Sequence, residues 1–187
     1  MSASGLVLTA SEPAARPARL SDVEAMADII NGYAARGLML PKAPAELHRL
    51  FREYVVVADG ERVVACGGLR VYSPALAEIV GLAVVGGQEG RGLGRRVVST
   101  LLDEARALAL ARVFAMTLQE GFFHRMGFRT TSLKRLPEKT AADCRGCARR
   151  AGCREIAVVL DLVPRWVRAS TGRRALAVLQ DQEAAPS

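Results

Sequence analysis

The sequence predicts an α/β fold, a mixed and mostly antiparallel central sheet flanked by helices, and three observations lead there. The periodic segments run as a helix pair, an antiparallel meander, a helical crossover and further strands. A glycine-rich turn, Glu89-Gly90-Arg91-Gly92-Leu93-Gly94, separates an apolar, strand-like run from a segment of helical period. With 187 residues, the chain is long enough for one domain with a substantial core and too short for two.

Residues 1–13 read as a flexible N-terminus and residues 14–20 as a first strand. The strand ends at Ser21-Asp22-Val23-Glu24, the pattern of a capping box in which Ser21 caps a helix and Glu24 reaches back. Val23, Met26, Ile29, Ile30 and Tyr33 follow at core-facing spacing, and Gly37 is placed to stop the helix. Residues 38–44 form a loop and residues 45–51 a short second helix. Residues 54–58 and 62–72 read as a hairpin around Asp59-Gly60, with Gly67-Gly68 marking a bulge or a close backbone approach. Ser73-Pro74 turns the chain into an apolar strand at 76–85. The helix at 92–108 turns Val97, Val98, Leu101, Leu102, Ala105 and Leu108 inward. A strand at 112–118, a short helix at 121–126 and strands at 128–132 and 155–163 complete a domain spanning 14–163. Residues 164–187 are a basic extension. In it, Trp166, Leu176 and Leu179 suit an amphipathic helix docked on the core or on a second subunit, and a frayed tail fits equally.

No apolar run approaches the roughly 18 residues of a membrane span, so no membrane association is expected. The first fifteen residues lack a basic start followed by an apolar stretch, which makes a cytoplasmic location the expectation. The net charge is +7, and half of the Lys and Arg residues fall between Arg125 and Arg174. No helix-turn-helix, RNA-binding or basic-zipper pattern accompanies that charge, so it reads as a solvated face that attracts an anionic cofactor and substrate. No nucleic-acid partner is expected.

A glycine turn between a strand and a helix start exposes several backbone N–H groups at the positive end of the helix dipole, a cradle for a pyrophosphate. A phosphate loop of the Walker type would continue Gly-Lys-Ser/Thr, whereas this turn continues Gly94-Arg95-Arg96. A dinucleotide fingerprint would open the first βα unit and place an acid at the end of the next strand. This turn comes mid-chain, and that strand ends Thr117-Leu118-Gln119.

Downstream of the turn stands Gly121-Phe122-Phe123-His124-Arg125-Met126-Gly127-Phe128. Turn and aromatic helix together resemble the GNAT acetyltransferase superfamily, over roughly residues 14–162. Four further stretches resemble the short-form amino-acid N-acetyltransferases, similar to the synthase domain of N-acetylglutamate synthase. They are Gly37-Leu38-Met39-Leu40-Pro41-Lys42, Val64-Ala65-Cys66-Gly67-Gly68-Leu69 with Leu76-Ala77-Glu78-Ile79, Val113-Phe114-Ala115-Met116-Thr117, and Leu136-Pro137-Glu138-Lys139 with Asp143-Cys144, Cys147 and Cys153-Arg154-Glu155. The resemblance implies a GNAT fold whose sheet splays at the acetyl-CoA turn. It implies transfer of an acetyl group from acetyl-CoA to the α-amino group of L-glutamate, or of glutamine, as the first step toward arginine.

On that resemblance Gly90, Arg91, Gly92, Leu93, Gly94 and Arg95 hold the pyrophosphate, largely through backbone amides. The backbone around Leu82, Ala83 and Val84 orients the acetyl carbonyl, and Phe122 and Phe123 wall the pantetheine. Glu78 is the candidate base, acting through a water; a strand carboxylate paired with a neighbouring Arg is the other reading. Lys42, Cys66, Arg70 and Arg112 are candidate substrate contacts, with Lys42 where the family carries Arg. Phe123 stands where many relatives carry a Tyr that protonates the leaving thiolate, so water or a Tyr elsewhere takes that role. Glu89, Val80 and Ala43 depart from the family pattern. Glu89 is expected to point to solvent. Two alternatives stay open: acetylation of another small amine or a peptide N-terminus, and a non-catalytic acetyl-CoA-binding module.

Cys144, Cys147 and Cys153 form C-x2-C-x5-C without a nearby fourth ligand for zinc. Reduced thiols or a redox-labile pair are expected there, and no metal.

Overall fold

The computed structural model describes residues 13–162. Seven strands form one sheet in the order β1-β2-β3-β4-β5-β7-β6. The strands are β1 (Ala15–Pro17), β2 (Tyr54–Asp59), β3 (Arg62–Ser73), β4 (Leu76–Val84), β5 (Arg112–Thr117), β6 (Arg129–Thr131) and β7 (Ile156–Asp161). Helices α1 (Val23–Ala35), α2 (Pro44–Leu50), α3 (Leu93–Ala107), α4 (Glu120–His124) and α5 (Pro137–Lys139) flank it. Every strand pair is antiparallel except β4 with β5, which are joined through the α3 crossover. Among the described residues no helix is long and apolar enough to cross a membrane.

The α3 face of the sheet is lined by Val55, Val57, Leu69 and Val113, closed by Val97, Val98, Leu101 and Leu102 from the helix. The opposite face holds two smaller clusters. Met26, Ile30 and Leu47 of α1 and α2 pack on Tyr54, Val56 and Cys66. Leu136 packs on Leu76, Phe114 and Val159.

Strand β4 changes phase partway along. Ala77 and Ile79 face α3, but so do Leu82 and Val84, while Val80 and Ala83 face α1. The slip is a bulge: Val80 pairs with Gly68 and Ala83 with Cys66, so Gly81 and Leu82 stand against Gly67 alone. Gly81 takes φ +59°, a left-handed conformation open chiefly to glycine. The expected irregularity at Gly67-Gly68 is this bulge, and Gly67 is also a close approach.

Pairing of β4 with β5 lasts four residues, from Leu76 with Arg112 to Ile79 with Ala115. Beyond it, β4 stays with β3 and β5 stays with β7. The two parallel strands therefore part toward their C-terminal ends. One end leads into the glycine turn and the other into α4, so the splayed sheet is as the sequence led us to expect.

Three differences from the sequence reading have physical causes. The start of α1 is not a Ser21–Glu24 capping box. Asp22, 5% exposed, accepts from the Arg19 N–H at 2.7 Å and from the Arg16 guanidinium at 2.7 and 3.0 Å. The Arg16 bonds hold its carboxyl below the usual aspartate range. Helix α2 begins one residue earlier, with Pro44 in its first turn, where a missing N–H costs nothing. The stretch between β6 and β7, without predicted elements, holds a 3-10 turn at Leu133–Arg135, then α5, a π turn at Thr140–Cys144 and a second 3-10 turn at Arg150–Gly152. The expectations for residues 1–12 and 163–187 lie outside the described residues.

A methyl group at position 67 would sit 2.7 Å from Cγ1 of Val97, which is fully buried and cannot swing away. Gly67→Ala is expected to lower unfolding stability by about 1–3 kcal/mol, the usual range for overpacking. Gly32 lies exposed within α1 with nothing near its missing methyl. Gly32→Ala is expected to raise stability by about 0.4–1 kcal/mol. Urea denaturation of the two variants should therefore move the midpoint in opposite directions.

Candidate active site

The turn after β4 owes its shape to glycines: Gly87, Gly90 and Gly92 take φ of +81°, +79° and +80°. Gly92 is the N-cap of α3, and no side chain caps that end. The first turn of α3 carries no acid, while Arg95 and Arg96 lie within it. A helix N-terminus with unmet N–H groups and no countering carboxylate is poised for an anion. Leu93 is buried in the α3 core, so its position contributes backbone to the cradle. Arg91 donates to Gln88 Oε1 at 3.2 Å and Arg95 to the Arg125 carbonyl at 3.5 Å.

Glu89 is exposed, yet its carboxylate folds back on the turn. It accepts from the Gly87 N–H at 2.7 Å and lies 3.1 Å from the Tyr33 hydroxyl, which reaches the Val84 carbonyl at 2.9 Å. Backbone N–H groups of Glu89 and Gly87, together with that hydroxyl, hold its carboxyl below the usual glutamate range. Its charge thus braces the loop.

Phe122 and Phe123 separate in role. Phe122 is half-buried, its ring edge 3.6 Å from where a methyl on Gly94 would stand. Phe123 is in the core, edge-on to Phe122 and Phe128 at 5.1 and 5.2 Å.

On the opposite face of β4, one residue before the strands part, stands Glu78. It is 3% exposed and pairs in register with Arg70 and Phe114. Tyr72 donates to its Oε2 at 2.6 Å and Lys139 Nζ at 2.8 Å. Lys139 also donates to Asp143 Oδ2 at 2.9 Å, the oxygen that the Tyr72 hydroxyl contacts too. Arg70 stands 4.0 Å from Asp143 and 3.9 Å from Glu53. Both protein donors to Glu78 fall on Oε2, which leaves Oε1 without one among the described residues.

Burial raises the Glu78 carboxyl above the ordinary glutamate value, although Lys139 and Tyr72 pull the other way. Burial opposes charge on Lys139 as well, but the carboxylates of Glu78 and Asp143 outweigh it and keep the ammonium protonated. Burial and the nearby anions push the Tyr72 phenol upward. The cluster is a partly shielded carboxylate, biased toward taking up a proton, beside a fixed positive charge.

The structure brings only part of the sequence-derived set to this cluster. Arg70 joins it. Lys42 lies on the loop before α2, where its backbone N–H and C=O pair with the Asn31 amide at 2.9 Å each and its ammonium meets Glu46 at 2.5 Å. Cys66 has no exposed surface, and burial pushes its thiol up to about 12; its sulfur is packed in the α1 core and not displayed in a cleft. Arg112 sits at the far end of β5, lining a separate cavity of about 350 Å³ with Arg129, Arg135 and Asp161. Tyr72, Lys139, Asp143 and Glu53 were not singled out as site residues. The stretch Leu136-Pro137-Glu138-Lys139 with Asp143 stood out as a motif, and its i,i+4 spacing puts Lys139 and Asp143 on one face. Nothing local tied it to β4.

Among the described residues no three His, Cys, Asp or Glu side chains are grouped as metal ligands, and Cys144, Cys147 and Cys153 are free thiols.

Residues 24–128 match the acetyltransferase (GNAT) family. An uncharacterized N-acetyltransferase of Chlorobaculum tepidum is 34% identical over 155 residues, 83% of this chain and 100% of that protein. An amino-acid acetyltransferase of Mycobacterium tuberculosis is 38% identical over 119 residues, 62% of this chain and 68% of that one. Among solved structures, N-acetylglutamate synthase from Neisseria gonorrhoeae, complexed with coenzyme A and N-acetyl-glutamate, is 25% identical with a TM-score of 0.72, over 81% of this chain and 35% of the longer one. The family match runs from the first helix through the glycine turn to the aromatic helix, and the chain belongs to the acetyltransferase (GNAT) family.

Proposed function

We propose that the chain transfers the acetyl group of acetyl-CoA to the α-amino group of L-glutamate, or of glutamine, as a step toward arginine. The observation that carries this reading is the buried Glu78 carboxylate, set on β4 where β4 and β5 part and flanked by Lys139 and Arg70. The glutamate assignment draws support from the relative named amino-acid acetyltransferase and from the synthase that holds N-acetyl-glutamate.

Backbone N–H groups of Gly90 to Gly94 take the pyrophosphate of acetyl-CoA. The backbone of Leu82 to Val84, freed from β5, orients the acetyl carbonyl between the strands and steadies the developing oxyanion. Glu78 accepts the proton of the acceptor ammonium through a water, using the oxygen without a protein donor. Lys139 and Tyr72 hold the other oxygen and fix the carboxylate plane. Arg70 offers a cation for the acceptor's carboxylates. Phe123 has no proton to give and lies in the core, so water protonates the departing thiolate.

Two observations favour a different acceptor: the Lys42 ammonium is already matched by Glu46, and Val80 is partly buried against the α1 cluster. CoA release should be followed with glutamate, glutamine, lysine and a short peptide as acceptors. Turnover with glutamate or glutamine, with KM raised in Arg70→Ala, is the expected result. Turnover confined to other amines would keep the chemistry and overturn the substrate.

Glu78→Gln should lower kcat by about 10²-fold or more, the scale of a positioned base, with acetyl-CoA affinity unchanged. Because burial raises Glu78, the acid limb of kcat/KM should lie above the ordinary glutamate range, activity rising with pH as the carboxylate forms. Lys139→Met removes the charge that favours the anion, so that limb should move to still higher pH. A limb that stays put in this variant would show that Glu78 is not the titrating group.

Gly92→Ala forces alanine into φ +80° at the helix start. Its KM for acetyl-CoA should rise about tenfold, in line with the roughly 1–2 kcal/mol that a left-handed side chain costs. The KM for the amine should hold.

A further inference from the structure

Three of the four cysteines lie between the proposed base cluster and β7, and the proposed chemistry uses none of them. Cys144 ends the π turn Thr140–Cys144, the residue immediately after Asp143. The chain then reverses, and the Cys147 N–H donates to the Cys144 carbonyl at 3.4 Å. A four-residue turn holds its end Cα atoms within about 7 Å. That span overlaps the roughly 4.4–6.8 Å over which a disulfide closes. Two further turns, Arg150 N–H to Cys147 at 3.1 Å and Gly152 N–H to Arg149 at 3.0 Å, curl the loop on toward Cys153.

The surroundings suit thiol chemistry. Arg145, Arg149, Arg150 and Arg154 punctuate the loop from Cys144 to Arg154, and it contains no acid. Such a stretch draws in anionic reagents. Arg149 donates to the Gly37 carbonyl at 3.0 Å, which fastens the loop to the end of α1. Cys144 and Cys147 are half-buried and Cys153 is exposed. Burial raises the Cys144 thiol above the ordinary cysteine value, which suits it to the second, resolving step.

We infer that Cys144 and Cys147 form a reversible disulfide that slows acetyl transfer by drawing Asp143 and Lys139 away from Glu78. The oxidant is a low-molecular-weight disulfide. The Cys147 thiolate attacks one of its sulfurs and expels a thiolate, which takes up a proton. The Cys144 thiolate then attacks the Cys147 sulfur of the mixed disulfide and expels the second. Two protein thiols lose two electrons and two protons, and the small disulfide becomes two thiols. An S–S bond of about 2.05 Å is far shorter than any contact between free thiols, so Cys144 is pulled toward Cys147. Asp143, its neighbour, and Lys139, which immediately precedes the turn and bonds to Asp143, move with it.

The rate effect rests on the acetyl-transfer reading, whereas the bond does not. The full chain would be equilibrated with oxidised glutathione, alkylated and mapped by mass spectrometry. Acetyl transfer, acetyl-CoA binding and amide exchange would be measured before and after reduction. The expected result is a Cys144–Cys147 link, faster exchange across residues 139–144, and a kcat lower by about tenfold, part of the 10²–10⁴ that a positioned base supplies. Reduction should restore all three, and acetyl-CoA affinity should not change. Cys144→Ser and Cys147→Ser should be insensitive to the oxidant, and Cys153→Ser as sensitive as the parent chain. A link through Cys153, no link, or a link that leaves exchange across 139–144 unchanged would overturn the inference. If the reduced chain acetylates no amine, the functional reading fails, and the mapping and exchange still decide the disulfide.

Discussion

Tyr54 packs closely against two glycines on neighbouring strands, and much of the molecule follows from that contact. A methyl group would meet its ring at 3.0 Å from position 68 and its hydroxyl at 2.9 Å from position 81. The ring is 1% exposed and walled by α1 and α2, so it cannot retreat. Glycine at 81 in turn permits the left-handed φ that the bulge needs. The bulge lets β4 present Glu78 and Ala83 to one face and Ile79 and Leu82 to the other. It also bends the strand at the point where its partnership with β5 ends. A slot between two parallel strands, with unpaired backbone along one wall, is the outcome.

Slot and glycine turn lie at the carboxyl ends of the strands, where open α/β sheets bind their ligands. The turn and α3 supply the positive end of a helix dipole with no acid of their own beside it. Glu89, the one carboxylate in the turn, is drawn back by Gly87 and Tyr33. Its identity thus departs from the family pattern without placing a free negative charge over the cradle.

The opposite face of β4 solves a different problem. A carboxylate at 3% exposure is costly when ionised unless it is paired. Lys139 and Tyr72 meet that need from one side only, so Glu78 remains partly biased toward its protonated form. A fully matched ion pair would make a poorer base, and an unmatched carboxyl would stay neutral. Lys139 ends α5 and Asp143 lies on the π turn that follows it, both in the segment between β6 and β7. The pairing of Glu78 thus depends on a segment outside the regular sheet.

Local sequence pattern was enough to place the strands, the two long helices, and the glycine turn with its aromatic companion. Each is a local matter: alternation of two, a period near 3.6, and glycine where φ must be positive. Glu78, Arg70 and the turn residues stand out in the sequence for the same reason, as they lie on or beside regular elements. Tertiary structure alone decided which charges meet. Lys139 and Asp143 lie more than sixty residues from Glu78, and only the packing of Leu136 on Leu76 and Phe114 carries them to it. The fold also fastened the Lys42 backbone to Asn31 and sent Cys66 into the core and Arg112 to the far end of β5. Local periodicity reports the face on which a side chain lies. It carries no information about which distant segment covers that face, because long-range contacts are set by how the whole core closes.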